Sequence, residues 1–267
     1  MPDTRPLGVF DSGVGGLTVV RALKKLMPNE SIIYLGDTAR VPYGNKSKEA
    51  VQRYALQDSA FLVSRQVKTI VVACNTATAF ALDALQHKLD LPVIGVVEPG
   101  VEAALGKSQS GKIGIIGTAG TIYSQAYQSS LEASGRDLEI IAKATPLLVP
   151  LIEENWLEHT ASRLIVEEYL DPFLQNGIDT LVLACTHYPM IQSLLQEIVG
   201  DSIALVDSAS TCAQHTQRML QATGIEAPAG KEGIIEAFLT DVSGHFNALA
   251  ERFLENPLAQ IHQISVD

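Results

Sequence analysis

The chain has 267 residues, 46% hydrophobic and 18% charged, with 30 acidic against 19 basic side chains and a net charge of −11. That composition fits a folded protein of one large or two ordinary domains and excludes a disordered or fibrous chain. The acidic balance excludes a broad nucleic-acid footprint and disfavours an anionic membrane surface.

Taken in chain order, short apolar runs alternate with amphipathic stretches. A strand is predicted over 6–10 and a helix over 16–27, then a strand over 31–35 and a helix over 47–66. Next come a strand at 69–73, a helix at 77–89, a strand at 92–96 and a helix at 100–105. The following units are strand 112–116, helix 121–133, strand 138–142 and helix 147–156. A helix over 161–175, a strand over 180–184, a helix over 189–199 and a strand over 203–206 close the alternation. From about Thr211 the chain reads as one more helix, a loop holding Pro228 and Gly230, and a helical stretch over 241–254. Several strands are apolar at every position, the habit of parallel sheets covered on both faces. Strand–helix alternation of this kind predicts an α/β fold with right-handed crossovers.

The chain also resembles itself. Val71-Val72-Ala73-Cys74-Asn75-Thr76 is echoed by Leu181-Val182-Leu183-Ala184-Cys185-Thr186-His187, and the turn Asp11-Ser12-Gly13-Val14-Gly15-Gly16 by Gly117-Thr118-Ala119-Gly120-Thr121. The interval from Asp11 to Cys74 is 63 residues and that from Thr118 to Cys185 is 67. Two features matched at similar spacing point to two pseudo-symmetric lobes, each a mostly parallel sheet flanked by helices, with a cleft between them. The lobes are expected at residues 1–98 plus 209–267 and at 99–208.

Cys74 and Cys185 each sit where a strand ends, and ligands of open α/β sheets bind outside the carboxyl ends of the strands. A free cysteine is more often a small buried hydrophobe, but polar residues rather than core follow both of these. Two thiols flanking one cleft suit the removal of a proton from one face of a carbon and its return to the other. A thiol, with an ordinary pKa of ~8.5, can serve as base in one form and acid in the other. His187, two residues past Cys185, could be a partner or a surface loop histidine. Asp11 could relay a proton near Cys74 or simply bond its own turn.

The turn at 11–16 leaves helix N–H groups free for an anion. It is no dinucleotide fingerprint, because Thr18 stands where glycine is needed. Gly100 and Gly106-Lys107-Ser108 miss the phosphate-loop spacing by one residue, so no nucleotide is expected. Pro42-Tyr43-Gly44-Asn45 is either an ordinary turn or a tyrosine and a free backbone N–H facing the cleft. Cys212 and His215 lack a second pair of zinc-like spacing, and His87, His159, His245 and His262 read as surface or structural. No metal and no cofactor is expected. Three scattered cysteines do not make a disulfide framework. The segment 1–13 carries no secretory signal and no run is long enough to span a membrane, so a cytoplasmic protein is expected.

Four strings carry a resemblance: residues 8–18 (GVFDSGVGGLT), 36–44 (GDTARVPYG), 73–77 (ACNTA) and 184–189 (ACTHYP), with Val206-Asp207-Ser208 and the region 238–254 in support. On these the chain resembles the bacterial glutamate racemases of the aspartate/glutamate racemase superfamily, over nearly its whole length. The resemblance implies a cofactor-independent 1,1-proton transfer between L- and D-glutamate, supplying D-glutamate for peptidoglycan, and commonly a homodimer. It implies that Cys74 takes the α-proton from D-glutamate, assisted by Asp11. Cys185 takes it from L-glutamate, assisted by His187 and an acidic residue matched here to Glu153, with Glu154 one residue away as the alternative. The substrate-holding positions it implies are Ser12, Pro42, Tyr43, Gly44, Asn75, Thr76, Thr118, Thr121 and Thr186, beside Asp11 and His187. A racemase of aspartate or another acidic amino acid, a related two-cysteine isomerase or decarboxylase, and a non-catalytic two-lobe dicarboxylate-binding protein are the alternatives.

Overall fold

The structure, a computed structural model, describes residues 2–266. The chain runs β1 (Leu7–Asp11), α1 (Leu17–Leu26), β2 (Ile32–Gly36), α2 (Lys48–Ser64), β3 (Thr69–Val72), α3 (Asn75–Lys88), β4 (Val93–Gly95) and α4 (Val97–Lys107). It continues through β5 (Lys112–Gly117), α5 (Ala119–Tyr123), α6 (Ala126–Glu132), β6 (Glu139–Ala144), α7 (Leu148–Glu153), α8 (Thr160–Gln175) and β7 (Thr180–Ala184). The last elements are α9 (Gln192–Val199), β8 (Ala204–Asp207), α10 (Ser208–Thr223), β9 (Ile235–Leu239), α11 (Phe246–Leu254) and β10 (Ile261–Gln263). Among the described residues no helix is long and apolar enough to cross a membrane.

All strand pairs are parallel. Six strands form one sheet in the order β10-β9-β2-β1-β3-β4, and four form another in the order β6-β5-β7-β8. The run β2-β1-β3-β4 therefore has the same order as β6-β5-β7-β8. Phe10 lies opposite Val72 in the first sheet, and Ile116 opposite Leu183 in the second. These registers make Cys74 and Cys185 equivalent, as the echo in the sequence implied. Every residue of β1, β2, β3 and β7 is buried, which is why these strands read as unbroken apolar runs rather than alternating ones.

The largest apolar cluster joins the two halves: Leu17, Val20 and Leu23 of α1 share it with Ala213 and Leu220 of α10, Leu183 of β7 and Phe253 of α11. The helix α10 packs on both α1 and α4. A buried ion pair ties down the base of the first sheet. Lys68 Nζ stands 2.7 Å from Glu30 Oε2, and it also donates to the carbonyls of Asp3 and Ile225.

Several predicted elements are corrected. The region after Thr211 holds two strands, β9 and β10, that extend the first sheet, and its final helix begins at Phe246 rather than near residue 241. The single helix predicted over 121–133 is two, parted at Gln125, whose φ of 59° is left-handed and cannot continue a right-handed helix. The helix predicted over 189–199 starts as a 3-10 turn over Tyr188–Ile191 before α9 takes over. The helix predicted from residue 100 begins at Val97, with Pro99 in its first turn, where a missing N–H costs nothing.

Candidate active site

Four strands deliver the site at their carboxyl ends. Asp11 ends β1, Cys74 follows β3, Thr118 follows β5, and Cys185-Thr186-His187 follow β7. A cavity of about 220 Å³ lies between the sheets, lined by both thiols together with Ser12, Pro42, Tyr43, Gly44, Asn75, Thr76, Thr118, Glu153, Thr186 and His187. That is smaller than the ~300–1,000 Å³ typical of drug-sized ligands and suits a small metabolite. Asp11 and Thr121 do not line it; both are fully buried behind the wall.

Cys74 is the N-cap of α3. Its Sγ accepts a hydrogen bond from the Ala77 N–H at 3.4 Å and lies 3.8 Å from Ser12 Oγ. Burial, and then the charge of Asp11, push its thiol up to about 12, so the sulfur carries a proton in the ligand-free protein at neutral pH. Burial also raises the Asp11 carboxyl above the usual carboxylate range, opposed by His187 and by the Gly13 N–H, which donates to Oδ2 at 3.0 Å. Asp11 Oδ1 is buried with no hydrogen-bond partner among the described residues.

On the opposite wall His187 Nδ1 stands 3.9 Å from Cys185 Sγ, and Nε2 stands 2.9 Å from Glu153 Oε1. Burial opposes a charged imidazole here, but the hydrogen bonds to Cys185 and Glu153 outweigh it and raise His187 to about 10. The second wall therefore presents the Cys185 sulfur beside an imidazole that its neighbours hold protonated. Glu153 rather than Glu154 meets His187. The two lobes are stitched at this level by hydroxyls. Thr76 Oγ1 is 2.8 Å from Thr118 Oγ1 and 3.2 Å from Thr121 Oγ1, and Thr18 Oγ1 donates to the Thr186 carbonyl at 2.8 Å.

Two predicted contacts are redirected. The Tyr43 hydroxyl does not face the cleft; it donates to the buried carboxylates of Asp37 and Asp58, both of which also pair with Arg40. This cluster instead holds the 37–45 loop so that Gly44 and Asn45 meet the cavity. The Asn75 amide is likewise engaged, donating to Ser208 Oγ at 3.1 Å and accepting from the Tyr127 hydroxyl at 2.7 Å. What Asn75 offers a ligand is its backbone N–H, which lies with that of Thr76 in the first turn of α3 and lacks a helical partner. Thr145, Pro146, Val149 and Pro150 also line the cavity and were not foreseen. Thr145 follows β6, so the rule about carboxyl ends of strands would have reached it.

Among the described residues no lysine or arginine lines the cavity. An anionic ligand would be held by N–H and hydroxyl donors, each hydrogen bond to charge contributing ~1.5–3 kcal/mol. The arrangement can move protons between a bound carbon acid and two sulfurs of unequal electrostatic setting.

Residues 17–216 match the model of the Asp/Glu/hydantoin racemase family. The chain is 44% identical over 263 residues to a glutamate racemase of Geobacter metallireducens, covering 98% of this chain and 97% of that protein. Among solved structures it is similar to a glutamate racemase isoform of Bacillus anthracis, with a TM-score of 0.94 at 38% identity and 98% of both chains covered. It is similar also to the glutamate racemase of Francisella tularensis in complex with D-glutamate, with a TM-score of 0.93 at 35% identity and 99% of both chains covered. By fold, by motif order and by these likenesses, the chain belongs to the Asp/Glu/hydantoin racemase family.

Proposed function

We propose that this chain is a glutamate racemase, an isomerase that interconverts L- and D-glutamate with its own two thiols as the acid–base pair. The observation that carries the reading is that Cys74 and Cys185 line one small cavity from different lobes, each with its own proton-holding neighbour. Starting from L-glutamate, the Cys185 sulfur takes the α-proton and leaves a carbanion whose charge spreads into the α-carboxylate. The Cys74 S–H then delivers its proton to the opposite face, giving D-glutamate. The reaction ends with the proton on Cys185 and the charge on Cys74. Asp11 on one side and His187 with Glu153 on the other return the site to its starting state, and D-glutamate runs the same steps in reverse. Donors aimed at the α-carboxylate, from the first turn of α3 and from the Thr76–Thr118 hydroxyls, stabilise the carbanion. Closure of the lobes excludes water from it.

The substrate-holding roles of Ser12, Gly44, Thr76, Thr118 and Thr186 belong to the same reading, as do Pro42, Tyr43 and Asn75 through their backbone, and Asp11 and Thr121 from behind the wall. The lobes divide as 1–98 plus 209–267 and 99–208, supported by the strands of the two sheets falling within those spans; residues 1 and 267 lie outside those described. The family resemblance supports a homodimer, a cytoplasmic setting suited to three free thiols, and a role in supplying D-glutamate for peptidoglycan. Polarimetry tests the activity: the rotation of L-glutamate should decay to zero, and aspartate should be turned over far more slowly. Rapid loss of rotation from aspartate and none from glutamate would move the assignment to another acidic amino acid.

A further inference from the structure

The C-terminal helix α11 lies between two strands of the six-stranded sheet in the chain, yet it reaches the acid–base pair of the other sheet. Phe253, fully buried, sets its ring against the His187 imidazole with centroids 5.1 Å apart and planes at 79°. The neighbouring Arg252 donates from Nη2 to the Glu153 carbonyl at 2.9 Å and to the Ile152 carbonyl at 3.3 Å. Those carbonyls end α7, a six-residue helix. Terminal carbonyls lack intrahelical partners, and a cation there is favourable. So short a helix has little stability of its own and depends on what packs against it. Arg252 thus fixes the backbone of the residue whose carboxylate meets His187, while Phe253 fixes the tilt of the ring.

We infer that Arg252 and Phe253 are positioning residues for the His187–Glu153 pair, so that the helix returning to the first sheet sets the competence of Cys185 in the second. Neither touches the cavity; both act through the pair. The inference rests on the proposed racemase reading, in which Cys185 handles the proton of L-glutamate and Cys74 that of D-glutamate.

The step affected identifies the role. The equilibrium constant of a racemisation is one, so kcat/KM must fall equally in both directions when either proton transfer slows. Rates alone are silent on which step changed, and isotope effects are not. Wild-type protein, Arg252→Lys, Arg252→Met and Phe253→Leu are assayed with L- and D-glutamate carrying deuterium at Cα. Loss of both of these hydrogen bonds from a charged donor, the shorter one dominating, should lower kcat/KM about ten- to a hundredfold in Arg252→Met, with Arg252→Lys between it and wild type. The isotope effect on kcat/KM should rise from L-glutamate and fall towards unity from D-glutamate, because the proton transfer at Cys185, abstraction from L-glutamate and delivery to the carbanion formed from D-glutamate, then limits both directions. Isotope effects that stay unchanged, or move together from both enantiomers, would overturn the inference and leave α11 a packing element. If Arg252→Met does not fold, Arg252→Lys and Phe253→Leu carry the same comparison. Failure of the wild-type protein to racemise glutamate would instead refute the parent reading, and this inference with it.

Discussion

Replacing Glu153 by glutamine keeps the size of the side chain and removes the charge that His187 faces. The Nε2···Oε1 distance is 2.9 Å, and the imidazole side chain is only 9% exposed. A hydrogen bond to a charged group contributes ~1.5–3 kcal/mol. Glu153 is 37% exposed, so solvent screening puts the value near the lower end, about 1.5 kcal/mol. At 1.36 kcal/mol per unit that is a fall of about one unit in the His187 pKa, from a wild-type value of about 10. The assay is the pH titration of the imidazole NMR signals of the ligand-free protein, with a His187→Asn protein to assign the resonance. The sign in stability follows. The folded pKa lies above the unfolded 6.5, so the stabilisation is fully present below about pH 6.5 and is lost as the pH rises through about 10. The melting temperatures of wild type and Glu153→Gln should therefore differ by a steady amount below about pH 9, where both imidazoles are charged, and converge above about pH 10. A His187 that titrates near 6.5 in the wild type, or one unmoved by Glu153→Gln, would refute the electrostatic reasoning for the second wall.

Gly15→Ala should abolish activity while leaving most of the fold, because a Cβ there would collide with Thr186 Oγ1 and stand 2.5 Å from His187 Nδ1; retained turnover by polarimetry would show that the turn and the second wall are not so closely fitted. Thr118→Val removes one member of the hydroxyl cluster joining the lobes. At ~0.5–1.5 kcal/mol per neutral hydrogen bond, KM for glutamate should rise about two- to tenfold, and an unchanged KM would remove Thr118 from the binding groups. Lys68→Met leaves the Glu30 carboxylate buried and unpaired. That should cost about 3–5 kcal/mol, read as a drop in thermal stability of the order of 10 °C without a change in KM; an unaltered melting temperature would contradict it.

What the sequence made legible was whatever burial and strand ends dictate. The strands β1, β3, β5 and β7 are short Val/Ile/Leu runs buried on both faces, so their positions and the functional edge they share could be read directly. The repetition of Ala-Cys at the carboxyl ends of β3 and β7 is enough to put the two thiols on one level. The strands β9 and β10 escaped because one is a five-residue run inside a loop-rich tail and the other is a half-exposed Ile-His-Gln; only pairing with the existing sheet makes either a strand. Side-chain direction escaped as well. The motif gave Tyr43 and Asn75 as residues at the cavity, but nothing local says that the phenol turns back to Asp37 and Asp58 or that the amide is taken by Ser208 and Tyr127. Glu153 and Glu154 are one residue apart, about 100° around a helix of 3.6 residues per turn. Which of them met His187 depended on where α7 sat, not on composition.

The most direct test of the two-thiol account is racemisation of L-glutamate in D2O, followed by NMR at Cα and by polarimetry, with Cys74→Ser and Cys185→Ser proteins alongside. The account predicts that deuterium enters Cα as rotation decays in the wild type and that either substitution stops racemisation. Cys185→Ser should also block exchange from L-glutamate, and Cys74→Ser exchange from D-glutamate. Racemisation that survives loss of either sulfur, or wild-type protein that binds glutamate yet exchanges nothing, would contradict it.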